Sequence, residues 1–270
     1  MSKITSKKRP FPQVVSDLRE CVFSVIRLRT LADGQHFATP LGSGFFVSPN
    51  VFFTCYHVLN TVQAPHQPAD QYLLVNNFGQ SGGAILVDDT PIGSNIRLYP
   101  EKDSALVQVP RASAQQKFIV LDFGDTPVGM DIGVAGYPLA RLRADANNVL
   151  QFDGLIYRVA RGVVTTGFRQ NIQTQSGDPL IREVDTIEVN FLFVPGNSGG
   201  PIFDAESGRV YAFVHGYRAE KIAENYFDSI PHNVSQGAPA KHVETLHAIY
   251  SVGIRLNNIR AELQANGVAL

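Results

Sequence analysis

Short apolar runs broken by Gly, Pro, Asn and Asp recur along most of the chain. They include "CVFSVIRL", "GSGFFVS", "VFFTCYHVL", "QYLLVNN", "GAILVDD", "SALVQV", "FIVLDF", "DIGVAGYP", "LIYRVARGVVTTGF", "DTIEVNFLFV", "PIFD" and "RVYAFVHGY". Their spacing, roughly 8–12 residues, is that of antiparallel barrels and sandwiches, so the pattern predicts an all-β body. Helical periodicity is confined to the ends. "PQVVSDLRE" predicts a short N-terminal helix. "APAKHVETLHAIYSVG" sets Val243, Leu246, His247, Ile249 and Tyr250 at three- and four-residue spacing, which predicts a C-terminal helix that "IRLNNIRAELQANGVAL" continues after Gly253. No internal repeat, low-complexity tract or linker marks a second module.

Composition narrows the classes. With 270 residues, 44% of them hydrophobic and 17% charged, the chain can bury a sizeable core and does not read as disordered. Lys+Arg number 23 and Asp+Glu 24, a net charge of -1, so no overall field favours nucleic acid or an anionic membrane. The basic start, with Lys3, Lys7, Lys8 and Arg9, is followed by no apolar stretch of signal-peptide type. No apolar run approaches the roughly 20 residues of a membrane span, and the expected location is cytoplasmic. Two cysteines, Cys21 and Cys55, cannot build a disulfide framework; each sits in an apolar run and is expected to be a reduced core thiol, with a single disulfide between them as the alternative.

One segment departs from ordinary strand chemistry. "VPGNSGGPIFD", Val194 to Asp204, surrounds Ser198 with glycines and prolines between two apolar runs. Composition alone suits a hairpin connection, but the same glycines would let backbone N–H groups turn inward beside an exposed hydroxyl, combining a nucleophile and an anion pocket in one loop. A base and an orienting group would then be needed elsewhere. His57 ends the run "FFTCYHVL" and Asp103 begins "DSALVQV", so both stand at strand edges where side chains can face a cleft.

Taken in order, "GSGFFVSPN", "FFTCYHVL", "DSALVQV", "GVAGYP" and "PGNSGGPIFD" resemble the trypsin-like, chymotrypsin-fold serine endopeptidases, closest to the bacterial high-temperature-requirement type without a PDZ domain. The resemblance implies a single protease domain of two six-stranded antiparallel β-barrels, with a short N-terminal segment and a C-terminal helix. The expected bounds are about 20–112 for the first barrel, about 115–235 for the second and about 238–265 for the helical segment. It implies a catalytic triad of His57, Asp103 and Ser198, with the N–H groups of Gly196 and Ser198 as the oxyanion hole. In such a site His57 takes the serine proton and returns it to the leaving amine, while Asp103 fixes the imidazole tautomer.

Asn197 stands where members activated by N-terminal cleavage carry an aspartate that pairs with the new terminus, so no zymogen cleavage is expected. The family's primary pocket points to Leu192 and to the stretch Phe213, Val214, His215 and Gly216 as substrate-binding residues. No acid at Leu192 would pair with a basic side chain, and cleavage after small or aliphatic residues follows; His215 either narrows this pocket or packs. Cys55 with His57 looks like half a zinc site, but no second ligand pair with zinc spacing follows. "GSG" at Gly42 to Gly44 lacks a phosphate-loop pattern, and His66 reads as a loop residue. His242 and His247 have no acidic partner in metalloprotease spacing, so neither a metal nor a cofactor is expected. The implied partners are protein or peptide substrates and an activating protein that would order the oxyanion loop. The alternative is a non-catalytic scaffold that holds an extended peptide by strand addition.

Overall fold

A computed structural model describes residues 8–30, 36–60, 65–67, 70–76, 83–88, 95–109, 116–138, 141–144, 150–153, 155–172, 181–228 and 241–270. The N-terminal helix α1 (Phe11–Arg19) forms where its apolar spacing predicts. Val14 and Leu18 lie on one face, four residues apart, and both are buried.

The first half contains β1 (Val22–Thr30), β2 (His36–Ser48), β3 (Val51–Thr54), a one-turn helix α2 (Tyr56–Leu59), β4 (Gln71–Asn76), β5 (Gly83–Asp88), β6 (Ile96–Tyr99) and β7 (Ser104–Gln108). These strands form one seven-stranded sheet in the order β5-β4-β1-β2-β3-β7-β6, paired antiparallel throughout. The run "FFV" in β2 pairs with "VFF" in β3, and the rings of Phe45, Phe46, Phe52 and Phe53 are fully buried. Removing such a side chain from water contributes about 1.5–3 kcal/mol, so this pair anchors the first half.

The second half contains β8 (Asp131–Gly136), β9 (Arg141–Ala144), β10 (Leu150–Asp153), β11 (Arg158–Ile172), β12 (Ile181–Val189), β13 (Pro201–Asp204), β14 (Val210–Asp228), β15 (Lys241–Arg255) and a short terminal helix α3 (Arg260–Ala265). Six strands close in the order β11-β12-β15-β14-β13-β8, while β9 and β10 form a separate hairpin. Closure leaves this barrel without a free edge. Ile132, Val134, Val164, Ile187, Ile202 and Val214 fill it. The two halves meet through Phe53 of β3 and Phe213 of β14, whose rings pack edge to face with centroids 4.8 Å apart.

The two-barrel, mostly-β architecture is the one expected, with seven strands in the first sheet. The C-terminal segment is corrected. "KHVETLHAIYSVGIR" is the strand β15, and the helix is confined to Arg260–Ala265. The second barrel therefore extends to Arg255. β15 lies between β12 and β14 and closes the barrel, and its β-branched Val252 and Ile254 are buried there. Pairing on both sides outweighs a weak helical spacing. Among the described residues no helix is long and apolar enough to cross a membrane.

Candidate active site

β3 brings the chain to Cys55, and the single turn α2 then presents His57 while burying Val58 and Leu59 beneath it. Asp103 closes a 3-10 turn at Pro100–Lys102 and stands immediately before β7 with a left-handed backbone, φ 46° and ψ 43°. Aspartate is one of the few non-glycine residues that enters this region readily. Its carboxylate, 1% exposed, lies behind His57.

Three groups donate to that carboxylate. His57 Nδ1 lies 2.8 Å from Oδ2 and 2.9 Å from Oδ1, and the His57 backbone N–H donates to Oδ1 at 3.0 Å. His215 Nδ1 lies 2.6 Å from Oδ2. Burial alone would push the Asp103 carboxyl up. The positive charge that His57 can carry and the hydrogen bonds from His215 and His57 outweigh it, holding the group well below the usual carboxylate range. An ionised carboxylate can only accept, so both histidines carry their proton on Nδ1, and the lone pair of neutral His57 is on Nε2.

The Ser198 loop is two consecutive turns. Asn197 N–H donates to Val194 O at 3.0 Å, with Pro195 second and Gly196 third at φ 97°; Gly200 N–H donates to Asn197 O at 2.8 Å, with Ser198 second and Gly199 third at φ 81°. A positive φ at the third residue is the signature of a type II turn and calls for glycine there. The repeated pattern sets Ser198 at a corner and explains the density of glycine in "PGNSGG".

This loop is fixed from both halves. Gly199 N–H donates to Val214 O at 2.8 Å, and Val214 N–H to Gly200 O at 2.9 Å, which clamps it to β14. From β2, Ser43 N–H donates to Ser198 O at 2.9 Å. Ser43 Oγ–H donates to Gly196 O at 2.6 Å and accepts from Tyr137 N–H at 2.8 Å, and Thr54 Oγ1 donates to Ser43 O at 2.7 Å. The approach leaves no room for a side chain at Gly42, where a Cβ would stand 2.9 Å from Ser198 O. Sequence reasoning missed Ser43; a small polar residue between two strand glycines, which mark close backbone approach, is the signal that could have found it.

His57 and Ser198 line one cavity of about 460 Å³ with Leu41, Phe193, Val194, Pro195, Gly196, Val214, His215, Gly216 and Tyr217. Ser198 Oγ–H donates to His215 O at 3.4 Å. Of the residues expected to bind substrate, Val214, His215 and Gly216 line this cavity. Leu192 does not: it is 56% exposed, and it is Phe193 that turns inward, its N–H held by Ser251 Oγ at 2.8 Å. Phe213 is consumed by the packing on Phe53. His215, expected to narrow the pocket or pack, lines the cavity and also has its ring on Asp103.

Cys55, His57 and Asp103 put potential ligand atoms within 4.8 Å of one another. These atoms have other work, since Cys55 Sγ–H donates to Val214 O at 3.2 Å and both Asp103 oxygens accept from histidine. Both cysteines are free and buried; burial pushes the Cys21 thiol up to about 12 and Cys55 well above its usual value. His66 lies between α2 and β4 and bonds Tyr72 through Nδ1. The side chains of His242 and His247 fall outside the described residues. A second cavity, of about 450 Å³, is lined by Arg9, Cys21, Lys117, Phe118 and Arg209 among others, and includes none of His57, Asp103 and Ser198.

Comparison with known proteins identifies the fold and the family. The active form of the Rv3671c protease of M. tuberculosis aligns over 100% of this chain and 94% of its own, with a TM-score of 0.57 at 18% identity. An inactive form of that protease aligns over 94% of this chain and 93% of its own, with a TM-score of 0.53 at 18% identity. At that identity the likeness is one of fold. Comparison with curated protein sequences finds no match. The model of the trypsin-like peptidase domain matches residues 42–212, more than half of the chain. The chain therefore belongs to the trypsin-like peptidase family and is a serine endopeptidase, a hydrolase acting on peptide bonds in proteins or peptides.

Proposed function

We propose that Ser198 is the nucleophile, His57 the general base and acid, and Asp103 the group that orients His57. The observation that carries this reading is the His57–Asp103 pair at 2.8 Å, with His57 and Ser198 lining the same cavity. Ser198 Oγ attacks the scissile carbonyl carbon as its proton passes to His57 Nε2. The tetrahedral species collapses, the C–N bond breaks, and His57 returns the proton to the departing amine, leaving an acyl-enzyme. A water activated by His57 then releases the acid and regenerates Ser198.

The oxyanion is received by the N–H groups of Gly196 and Ser198. Neither has an acceptor among the described residues, and the type II turn at Pro195–Gly196 supports this role by reversing the peptide ahead of Asn197. Among the described residues the cavity lining contains no carboxylate, which supports a primary specificity without a basic side chain, and the proposed cleavage is after small or aliphatic residues. Uncharged Asn197 supports activity without N-terminal processing. A protein partner that stiffens the Ser198 loop would raise the rate further.

The test is intact mass after treatment with a fluorophosphonate probe. One adduct on the wild-type protein and none on Ser198→Ala is the expected result. An unlabelled wild type, with candidate partners or without them, would refute the assignment and favour a cleft that only holds peptide.

A further inference from the structure

The helix α2 that presents His57 is too short to hold its own shape. It has four residues and is closed at its end by Asn60 N–H donating to Tyr56 O at 2.9 Å. Starting a helical turn fixes several dihedral angles for its first bond, so an isolated turn is unfavourable in water. Val58 and Leu59 are buried beneath it, but apolar burial is non-directional and does not fix how His57 is turned. That takes bonds at both ends. At the near end, the His57 backbone N–H donates to Asp103 Oδ1 at 3.0 Å.

At the far end the bonds run through Asn60, whose extended backbone, φ -145° and ψ 113°, stops the turn. Its Nδ2–H donates to the hydroxyl of Tyr56, the neighbour of His57, and its Oδ1 accepts from His66 N–H at 2.7 Å. His66 is itself held. Its Nδ1 lies 2.8 Å from the hydroxyl of Tyr72, a buried ring of β4. On either side of it, Pro65 O accepts from Arg29 Nη2–H at 2.9 Å, and Gln67 N–H donates to Asp70 Oδ2 at 2.9 Å. Arg29 of β1 meets both oxygens of the buried Asp70 at 2.6 Å, a two-pronged geometry that fixes direction as well as distance.

We propose that Asn60 is a positioning residue for His57, carrying the rigidity of the Arg29–Asp70 pair to the turn that presents the imidazole. The inference rests on the reading of Ser198, His57 and Asp103 given above. Without its amide the far end of the turn loses both side-chain bonds, and the imidazole loses its fixed approach to Asp103 and to Ser198.

Three variants test this through the second-order rate of Ser198 labelling by the fluorophosphonate probe. Asn60→Leu keeps the volume and removes both side-chain bonds. Its rate should fall about tenfold, the equivalent of one ordinary hydrogen bond. Asn60→Asp restores both bonds, since a carboxylate accepts from His66 N–H and from the Tyr56 hydroxyl, and should recover most of the rate. Tyr56→Phe breaks only the inner bond and should fall between Asn60→Leu and wild type.

Proton NMR of protein carrying ¹⁵N-labelled histidine reads the alignment without any reaction. The downfield His57 Nδ1–H signal, assigned as the one lost in His57→Gln, should move upfield in Asn60→Leu and return in Asn60→Asp, which a loss of stability alone would not produce. An Asn60→Leu variant labelled at the wild-type rate, or an Asn60→Asp variant as slow as Asn60→Leu, would overturn the proposal. If Asn60→Leu does not fold, a Tyr56→Phe variant labelled at the wild-type rate would overturn it. If wild-type protein is not labelled at all, it is the nucleophile assignment that fails, and the His57 signal in Asn60→Leu alone decides for or against Asn60.

Discussion

The two halves of the molecule contribute to the active site in different currencies. The first, a sheet of seven strands, delivers side chains: His57 from a single helical turn after β3, and Asp103 from a left-handed residue before β7. The second, a closed barrel, delivers backbone directions: two turns whose third residues are glycines at φ 97° and 81°. A side chain is lost by changing one functional group, whereas a backbone direction is lost by adding a single carbon. The halves should therefore fail under different substitutions, and each failure reports which half was disturbed.

The largest effect belongs to the side-chain half. Asp103→Asn keeps the size of the group and removes the charge that holds His57 as its Nδ1–H tautomer, so labelling of Ser198 should slow by about 10⁴-fold with little change in melting temperature. In the backbone half, Gly196→Ala adds a Cβ at a φ that favours glycine and disturbs one oxyanion donor. Turnover of a peptide substrate should fall about 10²–10³-fold while His57 and Asp103 keep their NMR signatures.

Acid should separate the halves by stability. Asp103 and Asp70 of the first half are both buried and held below the usual carboxylate range; burial pushes each up, but His57 and His215 for the one and the Arg29 guanidinium for the other prevail. A carboxyl depressed in the folded state adds stability above its unfolded value, about 3.9, and that stability is lost as pH falls from there toward the folded value. Hydrogen exchange below about pH 4 should therefore show the first half opening before the second. The depressed carboxyls described in the second half, Asp131 and Asp185, pair with Arg161 and Arg169, whose side chains are exposed, and contribute less.

Ser43→Ala tests the connection between the halves. It releases Gly196 O and Tyr137 N–H, and the labelling rate should drop about tenfold. The smallest effect is a null. With burial pushing Cys21 up to about 12 and Cys55 well above its usual value, iodoacetamide at pH 8 should modify neither thiol until the protein unfolds; rapid native alkylation would contradict the burial of both.

Much of this was legible in the sequence because it depends on local chemistry. Strand runs separated by turn residues announce themselves, and "PGNSGGP" encodes its double turn in the placement of Pro195, Gly196 and Gly199. The features that local sequence does not reveal depend on a partner strand. Val243, Leu246 and Ile249 have helical spacing, yet β15 is fixed by β12 and β14 on either side. His215 would alternate with Val214 and Gly216 in a regular strand, but a bulge there adds a residue whose presence only the register with β15 reveals. Of Leu192 and Phe193 it is Phe193 that is buried, with its N–H bonded to Ser251 Oγ of β15.

The bonds that unite the halves also set an order of events. Asp103 meets His215, and Ser43 meets Ser198, across long stretches of chain whose closure entropy is spent before the contacts return anything. Proteins dominated by such non-local pairings fold on the scale of about milliseconds to seconds, and synthesis at about 5–20 residues per second is slower still, so the first sheet has time to form while β14 and β15 are still leaving the ribosome. In that interval the nascent chain holds an imidazole and a carboxylate but no hydroxyl beside them. On the proposed assignment of Ser198, proteolytic capacity arrives last, when the second barrel closes.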